Sequence, residues 1–401
     1  MPEGTLRPTW AEVDLDALAS NVRLARQVAA PAALCAVVKA DGYGHGAVAV
    51  ARSALDAGAS WLAVAVVDEA IALREAGIDA PILLLSDPAA DAAEATLAHS
   101  VTATVSSRGV LEALERAAGQ LGVEATVHLK VDTGMHRLGV APEETGSFAE
   151  AVRATPGLRI GGVFTHLAVA DGDSPEDREF TELQLRRFDE ALRAVRAVGI
   201  DPGLRHAANS AATLVYPASH YDLVRVGIAM YGEVASPAVG AALAATGKGR
   251  VLAPVLSLHS RVVALRRLGA GARPSYGRLR PLPSGSVVAT VPVGYGDGVP
   301  RRLFDAGGEV LIGGRRRPLA GVVTMDQLVV DCGSDGDVAL GDEVVLFGSQ
   351  GDERITVSEW ARWLGTVNHE VLTLLGARVP RVATVDAKAL REGGLPGGAR
   401  R

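Results

Sequence analysis

Residues 34–46 have the sequence LCAVVKADGYGHG, in which a short apolar run, Leu34–Val38, ends at a lysine and a glycine-rich turn. Seven similar runs follow before residue 230: Trp61–Val67, Ile82–Leu85, Val101–Val105, Ala125–Val131, Ile160–Thr165, Gly203–Ala207 and Leu223–Val226. Amphipathic helical segments lie between them, including Asp68–Ala76, Arg108–Leu121, Ser147–Ala154 and Glu176–Val198. Strands that alternate with helices pair in parallel, because a parallel pair needs a long crossover.

Eight such units in about 240 residues predict a (β/α)8 TIM barrel. A doubly wound open sheet is the main alternative, but it usually has fewer strands and a GxGxxG motif after the first one. No such motif follows Leu34–Val38. We therefore expect an α/β barrel over residues 1–245, with the first ~10 residues packed on a second domain.

The pattern changes after a segment with the composition of a linker, AALAATGKGR at residues 241–250. Runs rich in β-branched residues then alternate with Gly, Pro and Asp turns: Val255–Leu268, Ser286–Val293, Glu309–Ile312, Gln327–Val330 and Glu343–Phe347. Two helices are predicted near Val357–Leu364, capped by Ser358 or Thr356, and near His369–Leu375. We expect a mostly β C-terminal domain over residues 246–390 and a disordered tail over 391–401.

Composition excludes several classes of protein. The chain has 401 residues, 48% of them hydrophobic and 21% charged, which excludes extensive disorder. Its net charge of −6 argues against nucleic-acid binding. Two distant cysteines, Cys35 and Cys332, cannot form a disulfide framework or a CxxC zinc site. There is no signal-peptide pattern and no apolar run near the ~20 residues that span a bilayer, so we expect a cytoplasmic protein.

Chemistry-bearing residues lie at or near the ends of several predicted strands: Lys39, Lys130, His166 and His206, with Arg225 inside the eighth run just before Gly227. In a TIM barrel the C-terminal strand ends carry the active site. The chain has only four lysines, Lys39, Lys130, Lys248 and Lys388, so any chemistry that needs an amine has few candidates.

The turn after Lys39 also offers groups that could hold an anion. Its glycines allow close backbone approach, and Tyr43 adds a hydroxyl. Ser210 and the segment Val226–Ile228 provide a second hydroxyl and further amides. A strand-end lysine beside a phosphate site is what pyridoxal 5'-phosphate requires. Taken singly, however, each of these residues could also be an ordinary barrel-top or turn residue.

Eight motifs resemble those of alanine racemases and follow the same order: VVKADGYGHG, HLKVDTGMHRLG, FTHLA, HAANSAA, RVGIAMYG, PSYG, VGYGDG and TMDQ. The resemblance covers about residues 10–383. It implies a pyridoxal-phosphate-dependent racemase with a TIM barrel and a β domain. It also implies a homodimer with shared active sites, acting on a small amino acid to supply D-alanine for peptidoglycan.

The resemblance assigns cofactor contacts to Lys39 as the Schiff-base lysine, and to Tyr43, His166, His206, Ser210, Arg225, Gly227, Ile228 and His369. Lys39 and Tyr276, the latter from the partner subunit, would be the two catalytic bases. Arg137 and Met325 would bind the substrate carboxylate. Tyr295 and Asp326 would line or support the access path, and Lys130, often carbamylated in that family, would orient Arg137. No metal is expected.

One position departs from the family pattern. The usual Asn-Tyr-Glu is here Asn368-His369-Glu370. A histidine is shorter than tyrosine and could widen the substrate pocket, so a broader serine and alanine racemase is the first alternative. A non-catalytic pyridoxal-phosphate carrier is a second, but such barrel-only proteins lack the domain that holds Tyr276 and Met325. A related decarboxylase would place an acidic residue where Arg225 stands.

Overall fold

The computed structural model describes residues 6–245, 251–334 and 337–384. The chain divides into two compact units, one of residues 19–253 and one of residues up to Leu18 together with those from Pro254 onward. The predicted tail at 391–401 and the second half of the predicted linker, residues 246–250, lie outside the described residues. Among the described residues, no helix is long and apolar enough to cross a membrane.

The chain opens with a strand that belongs to the second unit. This strand, β1 (Thr9–Asp14), is followed by the helix α1 (Leu15–Ala29). It pairs antiparallel with a strand some 250 residues later, in the register Thr9 to Ser260. Sequence reading did not identify β1, because its partners are so distant along the chain.

Unit 19–253 contains eight parallel strands. They are β2 (Ala33–Val37), β3 (Trp61–Val64), β4 (Ile82–Leu84), β5 (Val101–Val105), β6 (Ala125–Lys130), β7 (Leu158–Phe164), β8 (Leu204–His206) and β9 (Leu223–Val226). The order is β8-β7-β6-β5-β4-β3-β2-β9. Backbone hydrogen bonds from Asp222 to Arg205 (3.0 Å) and from Arg225 to Ala208 (3.0 Å) link the two outer strands. The predicted TIM barrel is confirmed.

Helices lie between these strands and after the last of them, and four of them correspond to the segments predicted at 68–76, 108–121, 147–154 and 176–198. They are α2 (Lys39–Gly44), α3 (Ala47–Asp56), α4 (Val67–Glu75), α5 (Ala93–Ala98), α6 (Arg108–Leu121), α7 (Thr145–Ala154), α8 (Pro175–Ala197), α9 (Ser210–Val215) and α10 (Pro237–Ala245). Segment α2 is unusual because it is left-handed. The predicted linker begins inside α10, so its first five residues are helical.

The second unit is mostly β, as predicted. Its remaining elements are β10 (Leu256–Arg261), β11 (Ala264–Leu268), β12 (Ser286–Val291), β13 (Glu309–Ile312), β14 (Arg315–Pro318), β15 (Leu328–Asp331), β16 (Glu343–Gln350), β17 (Glu353–Ile355), α11 (Val357–Leu364), α12 (Asn368–Thr373) and β18 (Arg381–Thr384). Thr356, not Ser358, caps α11, because its side chain accepts from the Glu359 amide.

One strand predicted from the sequence is two separate strands in the structure. The run Val255–Leu268 divides into β10 and β11, which lie in different sheets. The switch occurs where the Val262 amide donates to Asp342 and the Val263 amide donates to Thr290. Strand β10 belongs to the sheet β14-β13-β16-β10-β1-β18, and β11 to the sheet β11-β12-β15. A continuous apolar pattern cannot reveal such a change of partner.

Candidate active site

A left-handed turn presents Lys39 at the C-terminal end of β2. Ala40, Asp41, Gly42 and Tyr43 have φ values of 52°, 52°, 61° and 53°. Such a conformation costs about 1–2 kcal/mol for each non-glycine residue, so it needs support from its surroundings. The turn leaves Lys39 half-buried and directs Tyr43 inward, where its side chain is 8% exposed. Burial raises the pKa of Tyr43 to about 12, so its hydroxyl keeps its proton.

A group of donors converges beside this turn, at the ends of β8 and β9. The amides of Gly227 and Ala229 donate to Ser210 Oγ at 2.9 and 3.3 Å. A Cβ at Gly227 would lie 2.5 Å from the Tyr43 hydroxyl, so only glycine allows this approach. Hydroxyls and amides around a residue without a side chain are the donor set that a phosphate group needs. Ile228, expected to contribute here, is buried next to this set.

A buried chain of hydrogen bonds runs from Arg225 through two histidines. The Arg225 guanidinium lies 2.9 Å from His206 Nδ1, and His206 Nε2 lies 3.0 Å from His128 Nδ1. A guanidinium only donates, so His206 Nδ1 accepts and its Nε2 carries hydrogen, which it donates to His128. The tautomers are therefore fixed by Arg225. Burial and the charge of Arg225 lower the pKa of His128 to about 3 and that of His206 well below its usual value.

Arg225 has no carboxylate among its hydrogen-bond partners in the described chain. It donates to the carbonyls of Thr165 (2.7 Å) and Ala207 (3.1 Å) and approaches His166 Nδ1 at 3.4 Å. Burial lowers its pKa to about 10, which still leaves it fully charged at neutral pH. Burial and the nearby cations, Arg225 first, lower the pKa of His166 well below its usual value. The barrel end therefore holds a fixed cation flanked by neutral imidazoles.

Two lysines lie in this positive environment. Burial, and to a smaller extent the positive charge of Arg137, lower the pKa of Lys39. The lower pKa increases the fraction of neutral, nucleophilic amine. Burial, Arg225 and Arg137 lower the pKa of Lys130 to about 8. Its ammonium donates to the Leu85 carbonyl at 2.9 Å. Both amines are thus more reactive near neutral pH than a surface lysine.

Arg137 lies on the loop after β6, which Asp132 organises. One Asp132 oxygen accepts from the amides of Gly134 and His136, each at 3.0 Å. A Cβ at Gly139 would lie 2.4 Å from the Asp132 nitrogen, so the loop closes only with glycine there. Arg137 itself is exposed and acts electrostatically on Lys39, Lys130 and His166.

In the second unit, three predicted motifs are joined by hydrogen bonds. The Tyr295 and Gly296 amides each donate at 2.9 Å, to the carbonyls of Thr324 and Met325 respectively. The Ser275 hydroxyl donates to the Val322 carbonyl at 2.6 Å, which ties the Tyr276 turn to the same segment. These links hold three exposed side chains: Tyr276 (71%), Met325 (52%) and Tyr295 (42%).

Asp297 is the buried centre of this arrangement. Arg7 contacts both its oxygens, at 2.9 and 2.8 Å, and the Gly294 amide donates to it at 3.0 Å. Arg378 bridges Asp297 to Asp326 with contacts of 3.2 and 2.7 Å. Asp326 is therefore anchored through Arg378. His369 lies in α12 and is partly buried. No group of His, Cys, Asp or Glu in the described part of the chain could hold a metal ion.

Comparison with known proteins agrees with this architecture. Residues 13–235 match the model of the alanine racemase N-terminal domain, and residues 255–383 match that of its C-terminal domain. The chain belongs to the alanine racemase family. The predicted resemblance is confirmed, and the protein is accordingly an isomerase that acts on amino acids.

Individual members of the alanine racemase family match this chain over almost its whole length. An alanine racemase of Symbiobacterium thermophilum is 46% identical over 376 residues, 94% of this chain and 97% of that protein. The crystal structure of alanine racemase from Bacillus anthracis with bound L-Ala-P is 37% identical, with a TM-score of 0.88 over 95% of this chain and 96% of that one. Alanine racemase from D-cycloserine-producing Streptomyces lavendulae is also 37% identical, with a TM-score of 0.86 over 96% and 99%.

The sequence did not reveal three of the features described for the two units of this alanine racemase family member. His128 lies two residues before Lys130 on β6, so strand alternation places both on one face and could have indicated it. The amide of Ala229 contacts Ser210, but the motif alone could not show that this amide, and not that of its neighbour Ile228, makes the contact. Asp297 lies inside the quoted VGYGDG motif, but its partners Arg7 and Arg378 come from the two ends of the chain.

Proposed function

We propose that this protein interconverts L-alanine and D-alanine with pyridoxal 5'-phosphate as cofactor. The observation that carries the proposal is the placement of Lys39 and the Ser210, Gly227 and Tyr43 donor set at the same end of a parallel barrel. Tyr43, Ser210, Gly227 and Ile228 would hold the phosphate. His206, which the resemblance expects to pack on the ring, is fully buried and stacked on Phe164, so it would act on the cofactor through Arg225 instead. When bound, the cofactor supplies a carbonyl carbon that reacts with amines and an electron-withdrawing ring that acidifies the substrate α-hydrogen.

Two bases on opposite faces of the α-carbon accomplish racemisation without turning the substrate over. Lys39 Nζ removes or returns the proton on one face. The hydroxyl of Tyr276 of the partner subunit does so on the other. The half-buried position of Lys39 and its lowered pKa suit an amine that must be neutral to accept a proton. The high exposure of Tyr276 leaves its hydroxyl accessible to a second copy of the chain.

Arg225 determines how far negative charge is withdrawn from the substrate. We assign it to the ring nitrogen, where it donates a hydrogen bond but keeps its own proton. A carboxylate there would favour a protonated ring and a longer-lived carbanionic α-carbon. With Arg225, charge at the α-carbon is stabilised less, so prompt return of a proton is favoured over transamination. The bonds to His206, Thr165 and Ala207 hold the guanidinium in place for this task.

Arg137 and the Met325 backbone would bind the substrate carboxylate. Lys130 and Arg137 repel each other while Lys130 is an ammonium, which is one reason its pKa falls to about 8. Addition of CO2 to the neutral Lys130 amine, with loss of a proton, would give a carbamate of opposite charge. We propose that Lys130 orients Arg137 best in that form. Tyr295 and Asp326, anchored through Thr324 and Arg378, would support the path to the site.

The direct test is purified protein loaded with pyridoxal phosphate and supplied with L-alanine. We expect D-alanine to accumulate to a near 1:1 ratio with L-alanine, since the two enantiomers have equal free energy. Chiral chromatography measures both. Cofactor binding without any D-alanine would contradict the proposal and favour a carrier. We further propose that the enzyme is a homodimer that supplies D-alanine for peptidoglycan in the cytoplasm.

His369 favours one second candidate, a racemase that accepts both serine and alanine. A shorter side chain than the family's tyrosine leaves more room for a hydroxymethyl group. We expect His369→Tyr to lower the ratio of serine to alanine turnover roughly tenfold, the effect of a small change in pocket size. Racemisation of each amino acid is measured separately as kcat/KM.

A matched control for that experiment is Val367→Tyr, which adds a tyrosine two residues earlier, at a position that is 56% exposed. We expect it to leave the serine to alanine ratio unchanged. An unchanged ratio in His369→Tyr as well would show that residue 369 does not set specificity.

A further inference from the structure

The left-handed turn after Lys39 depends on a side chain that belongs to a different part of the barrel. Three of its four left-handed residues, Ala40, Asp41 and Tyr43, are not glycine, and Ala40 and Tyr43 carry side chains that disfavour this conformation. Asp41 supports the far end of the turn, where its carboxylate accepts from the Ala47 amide at 2.8 Å. The near end, next to Lys39, is held by Glu69 in the first turn of α4.

Glu69 connects two strand ends through its two carboxylate oxygens. Oε1 accepts from the Ala40 amide at 2.5 Å. Oε2 accepts from the amides of Ala65, at 2.8 Å, and Val66, at 3.3 Å, just after β3. Each oxygen is thus committed to a different segment. Charge-assisted bonds of this kind are stronger than bonds between neutral groups.

The Ala40 amide belongs to the peptide bond that joins Lys39 to Ala40. A hydrogen bond that holds this amide therefore fixes the orientation of the backbone next to Lys39. The Glu69 carboxylate also lies close enough to raise the pKa of Lys39, opposing burial and Arg137. The interaction of Glu69 with Lys39 is electrostatic, whereas its hydrogen bonds go to backbone amides after β2 and after β3. Glu69 therefore acts on the lysine both through the turn and through its charge.

We propose that Glu69 is a positioning residue that clamps the left-handed turn at Ala40 to the end of β3 and so aims Lys39 at its cofactor. This inference rests on the proposed function, since it assigns Lys39 a reaction partner. Three variants test this proposal. Glu69→Ala removes both acceptors, Glu69→Gln keeps a single acceptor oxygen, and Asp68→Asn makes the same charge change at an exposed neighbour in the same helical turn.

The first measurement is hydrogen exchange of the protein freed of cofactor, followed by mass spectrometry. We expect Glu69→Ala to speed exchange in the peptide covering residues 38–46 by about tenfold or more. Asp68→Asn should match the wild type, and Glu69→Gln should lie between. Wild-type exchange in that peptide of Glu69→Ala would overturn the clamp, whatever the protein's activity.

The second measurement is titration of the same cofactor-free proteins with pyridoxal phosphate, with covalent attachment to Lys39 quantified after borohydride reduction. We expect the affinity of Glu69→Ala to fall about tenfold, with partial recovery in Glu69→Gln and none lost in Asp68→Asn. Equal affinity and attachment in all four proteins would overturn the inference. If the wild type itself shows no attachment, the proposed function fails, while the exchange result still decides the clamp. If Glu69→Ala does not fold, Glu69→Gln against Asp68→Asn decides both.

Discussion

Replacing Lys39 with alanine is expected to abolish covalent attachment of pyridoxal phosphate and to lower alanine racemisation by about 10³-fold or more. A general base alone contributes about 10²–10⁴-fold, and Lys39 is assigned both that role and the attachment of the cofactor. The physical reasons are the lowered pKa of Lys39 and the adjacent hydroxyl and amide groups of Ser210 and Gly227, which we propose hold the phosphate. Racemisation and cofactor content are measured on the same preparation.

The matched comparison is Lys130→Ala, because Lys130 is the other lysine in the described chain and its pKa is also lowered, to about 8. After borohydride reduction of the wild type, mass spectrometry should locate the pyridoxyl group on Lys39. The Lys130→Ala protein should still carry it. A pyridoxyl group on Lys130 would show that Lys39 has been assigned the wrong role.

The barrel was predictable because its signal is local. Eight β-branched or apolar runs with amphipathic helices between them specify parallel pairing, and the observed strands differ from the predicted runs by few residues at each end. The position of Lys39 at a strand end followed directly from that pattern. In contrast, the left-handed turn at residues 40–43 was not predictable, since Ala40 and Tyr43 disfavour that conformation and its support comes from Glu69 and Asp41.

The second unit shows a related limit. Its strands were visible as short apolar runs, but the change of sheet at Val262–Val263 depends on which partners are within reach. The same holds for Asp297, whose charge is compensated by Arg7 and Arg378, residues more than 370 positions apart. Motif resemblance identified Tyr276, Tyr295 and Met325, but only the structure shows the backbone bonds that hold Tyr295 and Met325 together.

Subunit mixing is expected to restore roughly a quarter of wild-type activity to two inactive variants, if Lys39 and Tyr276 act from different chains. Lys39→Ala and Tyr276→Ala homodimers each lack one base at every site. Random two-fold pairing makes about half of the dimers hybrid. In a hybrid, one site lacks both bases. The other takes Lys39 from the Tyr276→Ala chain and Tyr276 from the Lys39→Ala chain, and is intact.

The expected activity is a quarter of the wild-type value because half of the dimers are hybrids and each hybrid has one intact active site out of two. If both bases came from one chain, every site of a hybrid would lack one of them, and mixing would restore nothing. Subunit exchange must be verified independently, with a mass tag on one variant. The 71% exposure of Tyr276 and 52% exposure of Met325 are the reasons to expect complementation, since residues proposed to act inside an active site need a second surface to enclose them. Activity that stays at the level of the single variants after confirmed exchange would therefore place both bases in the same subunit.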